Sequence, residues 1–93
     1  MQRMVVLGHE PNGLHMRPAT EFARTARKFH CTVTVSFDGQ EADGTSPTEL
    51  LMLIALPGSE LHLAIDGPDA PEAIEALSAI LTAKSAATAA SGS

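Results

Sequence analysis

The chain has 93 residues, of which 44% are hydrophobic and 18% are charged, and its formal net charge is −5 at pH 7. This length fits one small globular domain, and no apolar run is long enough to span a bilayer. The acidic balance and the absence of Trp and Tyr argue against a nucleic-acid-binding surface, and the single cysteine, Cys31, indicates a reducing, cytoplasmic setting without internal disulfides.

The first half of the chain predicts a strand, a helix and a hairpin. Met4 to Leu7 is a short apolar run typical of a strand. From Met16 to about Lys28, apolar residues recur at helical spacing. Cys31 to Phe37 alternates apolar with polar residues and is rich in β-branched ones, which favours a strand. Asp38-Gly39 then predicts a hairpin turn into a short return strand over residues 40–43.

The second half opens on a helix start. In Ser46-Pro47-Thr48-Glu49, Ser46 is the predicted N-cap and Glu49 is expected to close a capping box. Pro57-Gly58 predicts that this helix ends near Leu56.

A last strand and a last helix complete the predicted order. Glu60 to Asp66 alternates apolar with polar residues, and Asp69-Ala70-Pro71-Glu72 is a second capping signature that opens a helix to about Ala83. We expect a folded domain over residues 1–84 and a flexible tail over residues 85–93. The order β-α-β-β-α-β-α predicts a two-layer α/β sandwich with helices on one face of one sheet, and it also suits a ferredoxin-like fold with an added helix.

The basic residues are clustered. Four of the six fall within twelve positions, at Arg17, Arg24, Arg27 and Lys28. On an acidic protein such a patch indicates an anionic ligand or an acidic partner surface, and the alternative is a solvated helix face.

The segment from Gly13 to Pro18 carries the most chemistry. Pro18 lies at the predicted helix start, which places His15 beside unpaired backbone N–H groups and the positive end of the helix dipole. We therefore expect a neutral ring nitrogen that can act as a nucleophile, and a phosphoryl group on it would lie where a helix N-terminus binds phosphate. The dipole contributes about 0.3–1 kcal/mol, which suits reversible transfer. The alternative is that His15 is only a helix cap.

The segment Gly13-Leu14-His15-Met16-Arg17-Pro18-Ala19 closely resembles the active-site signature of the HPr family, the histidine-containing phosphocarriers of the bacterial phosphoenolpyruvate:sugar phosphotransferase system. The resemblance covers roughly residues 3–82. It implies an open-faced β-sandwich in which three helices cover a four-stranded antiparallel sheet of order 1-4-2-3.

The resemblance also implies a function for the signature. His15 would accept a phosphoryl group on Nδ1 from phospho-enzyme I and donate it to EIIA domains of sugar permeases, while Arg17 would shield the phosphoryl charge. The protein would be a carrier rather than an enzyme, a monomer, and free of cofactors and metals. His9, His30, Cys31 and His62 show no zinc-site spacing.

A partner-docking surface is implied as well, with Arg24 and Arg27 matching basic docking positions of the family. Leu50 to Leu56 is apolar nearly all round, whereas a helix in a two-layer domain buries one side only. Met16 and Pro47 lie near this helix in the family fold, and Leu51 is expected to be its most exposed member.

Ser46 has two interpretations. It matches the position that a regulatory HPr kinase/phosphorylase modifies in some relatives, but Pro47 removes a backbone donor there, and a plain N-cap accounts for the serine. A regulatory relative phosphorylated at His15 is the alternative within the family. A small ferredoxin-like binding module is the alternative outside it.

Overall fold

The computed structural model describes residues 1–9 and 12–83, and its elements follow the predicted order. The strands are β1 (Gln2–Val6), β2 (Thr32–Phe37), β3 (Gln40–Asp43) and β4 (Glu60–Asp66), and the helices are α1 (Met16–Ala26), α2 (Pro47–Met52) and α3 (Ala70–Thr82). The tail predicted over residues 85–93 lies outside the described residues. No helix in the described ranges has the length and apolar character needed to cross a membrane.

The four strands form one antiparallel sheet of order β1-β4-β2-β3. His62 of β4 lies opposite Met4 on one side and Ser36 on the other, which fixes the register at the centre of the sheet. This order confirms the one implied by the resemblance, and it decides between the two arrangements that the element order left open.

One face of the sheet is buried under the helices and the other is open. Alternate β4 residues, Leu61, Leu63 and Ile65, are fully buried, and Phe22 of α1 and Leu77 of α3 pack into the same core. Burial of each such side chain contributes about 1.5–3 kcal/mol. The opposite side of the sheet, here called the open face, exposes residues of β1 and β4: Met4, Val6, Glu60, His62 and Ala64.

Several element boundaries differ from the prediction. β1 begins at Gln2 and stops before Leu7, whose N–H donates to the Ser59 carbonyl (2.8 Å) outside the sheet. α1 ends at Ala26, with Arg27 as its C-cap. The largest difference is in α2, which ends at Met52 instead of near Leu56, because the chain leaves helical geometry at Ile54, where φ is +53°.

The two predicted capping signatures are only partly correct. Ser46 is the N-cap of α2 and its Oγ accepts from the Glu49 N–H (3.3 Å). The Glu49 carboxylate does not close the box, since its Oε1 accepts from the Asp43 N–H (3.0 Å). Asp69 precedes α3 without a side-chain cap, because its Oδ2 accepts from the His30 N–H (2.7 Å).

Candidate functional site

His15 lies at the N-terminus of α1, and its ring does not cap the helix. It is the N-cap residue in extended backbone conformation, and its side chain makes no capping hydrogen bond. Its carbonyl accepts the first helical hydrogen bond, from the Ala19 N–H (3.0 Å). The residue is half-buried, so part of it is reachable from solvent.

The first turn of α1 presents unpaired donors beside that ring. The backbone N–H groups of Met16 and Arg17 have no acceptor within residues 1–9 and 12–83, and Pro18 has no N–H to leave unpaired. The first turn contains no acidic residue. The helix dipole and these two amides therefore create a positive potential next to His15.

A cavity of about 680 Å³ opens beside the ring. Its walls are contributed by α1, the loop before it and the chain after α3: His9, His15, Met16, Arg17, Pro18, Thr20, Glu21, Arg24 and Ala83. The lining includes two arginines, Arg17 and Arg24, and one acidic residue, Glu21. The excess of basic over acidic lining residues suits the cavity to an anion.

The basic residues of α1 separate into two groups. Arg17 and Arg24 line the cavity with His15. The Arg27 guanidinium turns the other way, and its Nη2 donates to the Thr45 carbonyl (2.8 Å) in the turn before α2. The structure therefore brings together the first two predicted basic site residues and directs the third toward α2.

The exposed apolar surface differs from the expected one. Leu51 is half-buried against the core, so the prediction that it is the most exposed residue of this segment is wrong. Met52, Ile54 and Leu56 are exposed instead, by 68%, 76% and 62%, because α2 ends early and the chain turns through Ile54 at φ +53°. Pro47 is partly exposed at the start of α2.

The loop before His15 packs against this turn, backbone to backbone. The Leu14 N–H donates to the Ala55 carbonyl (3.0 Å), and Gly13 has φ +73°. A Cβ at Gly13 would lie 2.5 Å from the Ala55 oxygen, a distance that no side chain tolerates. The turn at Ile54 and Ala55 is therefore held directly against the loop that leads into His15.

Comparison with known proteins identifies the family. The family model for the PTS HPr component phosphorylation site matches residues 3–83. The chain belongs to this family. The phosphocarrier protein HPr of Vibrio cholerae is 37% identical over 59 residues, which is 63% of this chain and 69% of that relative.

Solved HPr structures share the fold. The phosphocarrier protein HPr of Bacillus anthracis superposes with a TM-score of 0.83 at 33% identity, covering 88% of this chain and 96% of that one. Bacillus subtilis Crh, the catabolite repression containing protein, gives a TM-score of 0.69 at 31% identity and covers 83% of each chain. These relatives support a phosphocarrier function in the phosphotransferase system. The alternative prediction of a small ferredoxin-like binding module is therefore wrong.

His9 also lines the cavity beside His15. From the sequence it is considered only as a zinc ligand, and its spacing argues against that role. It is 8% exposed, and its Nε2 donates to the Ile80 carbonyl at the end of α3 (2.5 Å). A carbonyl oxygen only accepts, so Nε2 carries the hydrogen. The His9 carbonyl accepts from the Gly13 N–H (2.8 Å), and its N–H donates to Ala83 (2.8 Å). No local pattern shows this contact, because 71 residues separate the partners.

Ser46 lies in a turn that contains two acidic residues, Asp43 and Glu49. Its N–H donates to the Asp43 carbonyl (3.0 Å), and the Asp43 Oδ1 accepts from the N–H and hydroxyl of Thr45 (2.9 and 2.7 Å). These two bonds, with a smaller effect from the Arg27 charge, hold the pKa of the Asp43 carboxyl below its usual range. The hydroxyl of Ser46 thus acts as a cap in an acidic turn.

Proposed function

We propose that His15 is the phosphoryl acceptor of this phosphocarrier and that Arg17 stabilises the charge of the phosphoryl group. A neutral ring nitrogen, Nδ1 by the family resemblance, would attack the phosphorus atom of a phosphorylated donor protein. The new N–P bond forms as the bond from phosphorus to the donor breaks, and the donor leaves with that electron pair. The observation that carries the proposal is the ring of His15, which makes no capping hydrogen bond. Next to it, the N–H groups of Met16 and Arg17 have no acceptor among the described residues, and Arg17 and Arg24 line the same cavity.

The modest stabilisation of a phosphoryl group at this site supports a carrier that also releases that group. Amides at a helix N-terminus and exposed guanidinium groups stabilise a phosphoryl group by about 0.3–1 kcal/mol each, which leaves the transfer reversible. We propose enzyme I as the donor and EIIA domains as recipients, with Met16, Arg24, Arg27, Pro47 and Leu51 in the docking surface. On this proposal the protein is a monomeric carrier without turnover of its own, in the reducing cytoplasm that suits the free thiol of Cys31.

A regulatory role is the second candidate. The likeness to Crh favours it, and HPr kinase/phosphorylase would then be a further partner acting on Ser46. The surroundings of Ser46 favour the cap instead, because a phosphate there would add negative charge to a turn that already holds the Asp43 and Glu49 carboxylates.

Phosphoryl acceptance tests the proposal. The protein is incubated with phosphoenolpyruvate and its cognate enzyme I, and intact mass is measured before and after acid treatment. We expect one acid-labile phosphoryl group on the wild type and on His62→Ala, whose imidazole is on the open face, and none on His15→Ala. Phosphate retained by His15→Ala would refute the assignment. A separate incubation with HPr kinase/phosphorylase and its phosphoryl donor tests the regulatory role, which an acid-stable phosphate that is lost in Ser46→Ala would favour.

A further inference from the structure

Ile54 has a backbone conformation that is unfavourable for its side chain. Its φ of +53° is in the left-handed region, which two other non-glycine residues of the described chain, His9 and Asp38, also adopt. Asp and His are enriched in that region, whereas a β-branched residue is an outlier there because its Cβ substituents crowd the backbone. Glycine or asparagine would fit the same turn without strain.

Burial of the Ile54 side chain does not offset this backbone strain, because the side chain is exposed. Ile54 is 76% exposed, the highest value among the large hydrophobic residues of the described chain. Two of its neighbours in sequence, Met52 and Leu56, are also exposed, as is Met16 in the first turn of α1. Strain without burial in the free protein indicates a contact made in a complex.

The position of the turn indicates what kind of partner makes that contact. The residue after Ile54 accepts the Leu14 N–H (3.0 Å), so the turn is attached to the loop that carries His15. Arg17 and Arg24 line the same cavity as His15. A protein that reaches His15 therefore meets both the apolar projection at Ile54 and the positive charge of these two arginines.

We propose that Ile54 is the apolar anchor by which this phosphocarrier recognises the protein that phosphorylates it. The side chain enters an apolar pocket of that donor, beside acidic residues of the donor that face Arg17 and Arg24. A rigid projection of this kind, centred in an exposed apolar patch (Met16, Met52, Ile54 and Leu56), has the properties of an interface hot spot. The inference rests on the proposed function, since it names the recognition element for the same transfer.

The substitutions Ile54→Gly and Ile54→Asn separate recognition from folding. Both residues tolerate a positive φ, so we expect a melting temperature equal to or above that of the wild type. Both remove the anchor, so we expect the second-order rate constant for phosphoryl transfer from phospho-enzyme I to fall about tenfold or more. Ile54→Leu keeps an apolar side chain and should retain most of the rate.

Val6→Ser is the matched control, because Val6 is an exposed apolar residue on the open face. It should leave the rate unchanged. Wild-type rates in Ile54→Gly and Ile54→Asn would overturn the inference while leaving His15 as acceptor, and so would a loss of rate that accompanies a loss of melting temperature. A wild-type dimer that either variant dissociates would also overturn it, since a second copy would then cover the patch. Failure of the wild type to accept phosphate at His15 would instead refute the proposed function.

Discussion

Two histidines share the cavity and differ in what their rings do. The ring of His15 makes no capping bond and is open to a reaction, whereas that of His9 is buried and bonded to the Ile80 carbonyl. Ile80 is in the last turn of α3, where backbone carbonyls lack helical partners. His9 therefore completes the end of α3 and, through its own carbonyl, holds Gly13 in the loop before His15.

The substitution His9→Ala should destabilise the fold. It leaves the Ile80 carbonyl without its donor. It also places an alanine, which has no polar side chain, at a φ of +60°. We expect the free energy of unfolding to fall by about 1–3 kcal/mol, measured by urea denaturation. His62→Ala on the open face is the control and should change it by less than about 0.5 kcal/mol. Equal effects of the two substitutions would contradict the structural role of His9.

Asp43 provides a prediction about pH. Hydrogen bonds from Thr45 lower the pKa of this carboxyl, so its contribution to stability is present above the ordinary carboxyl pKa of 3.8 and is lost as the pH falls through the lower value in the folded protein. Thr45→Val removes the hydroxyl donor, and NMR titration should show the Asp43 pKa rising toward its ordinary value. Thr48→Val, an exposed threonine of α2, is the control. A pKa unchanged by Thr45→Val would contradict the assigned cause.

At the scale of elements, the strands and turns that depend on residues close in sequence were predicted correctly. β4 has the predicted bounds because alternation at Leu61, Leu63 and Ile65 reflects burial under the helices. The hairpin of β2 and β3 follows from Asp38-Gly39, both with positive φ.

Elements that depend on distant partners were not predicted. Asp69 bonds His30, 39 residues away, where the sequence predicts a helix cap. The early end of α2 gives no local signal either, since an isoleucine at position 54 does not indicate a positive φ. The candidate site divides in the same way. The sequence predicts His15 and Arg17 as site residues, whereas the place of His9 depends on where α3 ends.

At the scale of the molecule, charge is distributed asymmetrically. The net charge is −5, yet the cavity beside His15 is lined by two arginines and one glutamate. A positive site on an acidic protein attracts an acidic partner in one orientation and repels it in others.

This asymmetry predicts how transfer responds to salt. The second-order rate constant for phosphoryl transfer from phospho-enzyme I should fall as ionic strength rises, because salt screens steering. Arg24→Ala should lower the rate and flatten that dependence more than Lys28→Ala, since Lys28 is outside the cavity. Stopped or quenched-flow measurements from low to physiological salt would show this. A rate independent of salt would contradict electrostatic steering.

The close approach at Gly13 has a consequence for how the family can diverge. The loop before His15 and the turn at Ala55 touch through main-chain atoms, so their separation is set by atomic radii and not by the size of any side chain. Substitutions accumulate across the surface without altering that separation. Selection can therefore change the chemistry of the residue at position 54 while the spacing between its turn and the loop before His15 is inherited intact. Insertions in either segment should be absent from functional descendants.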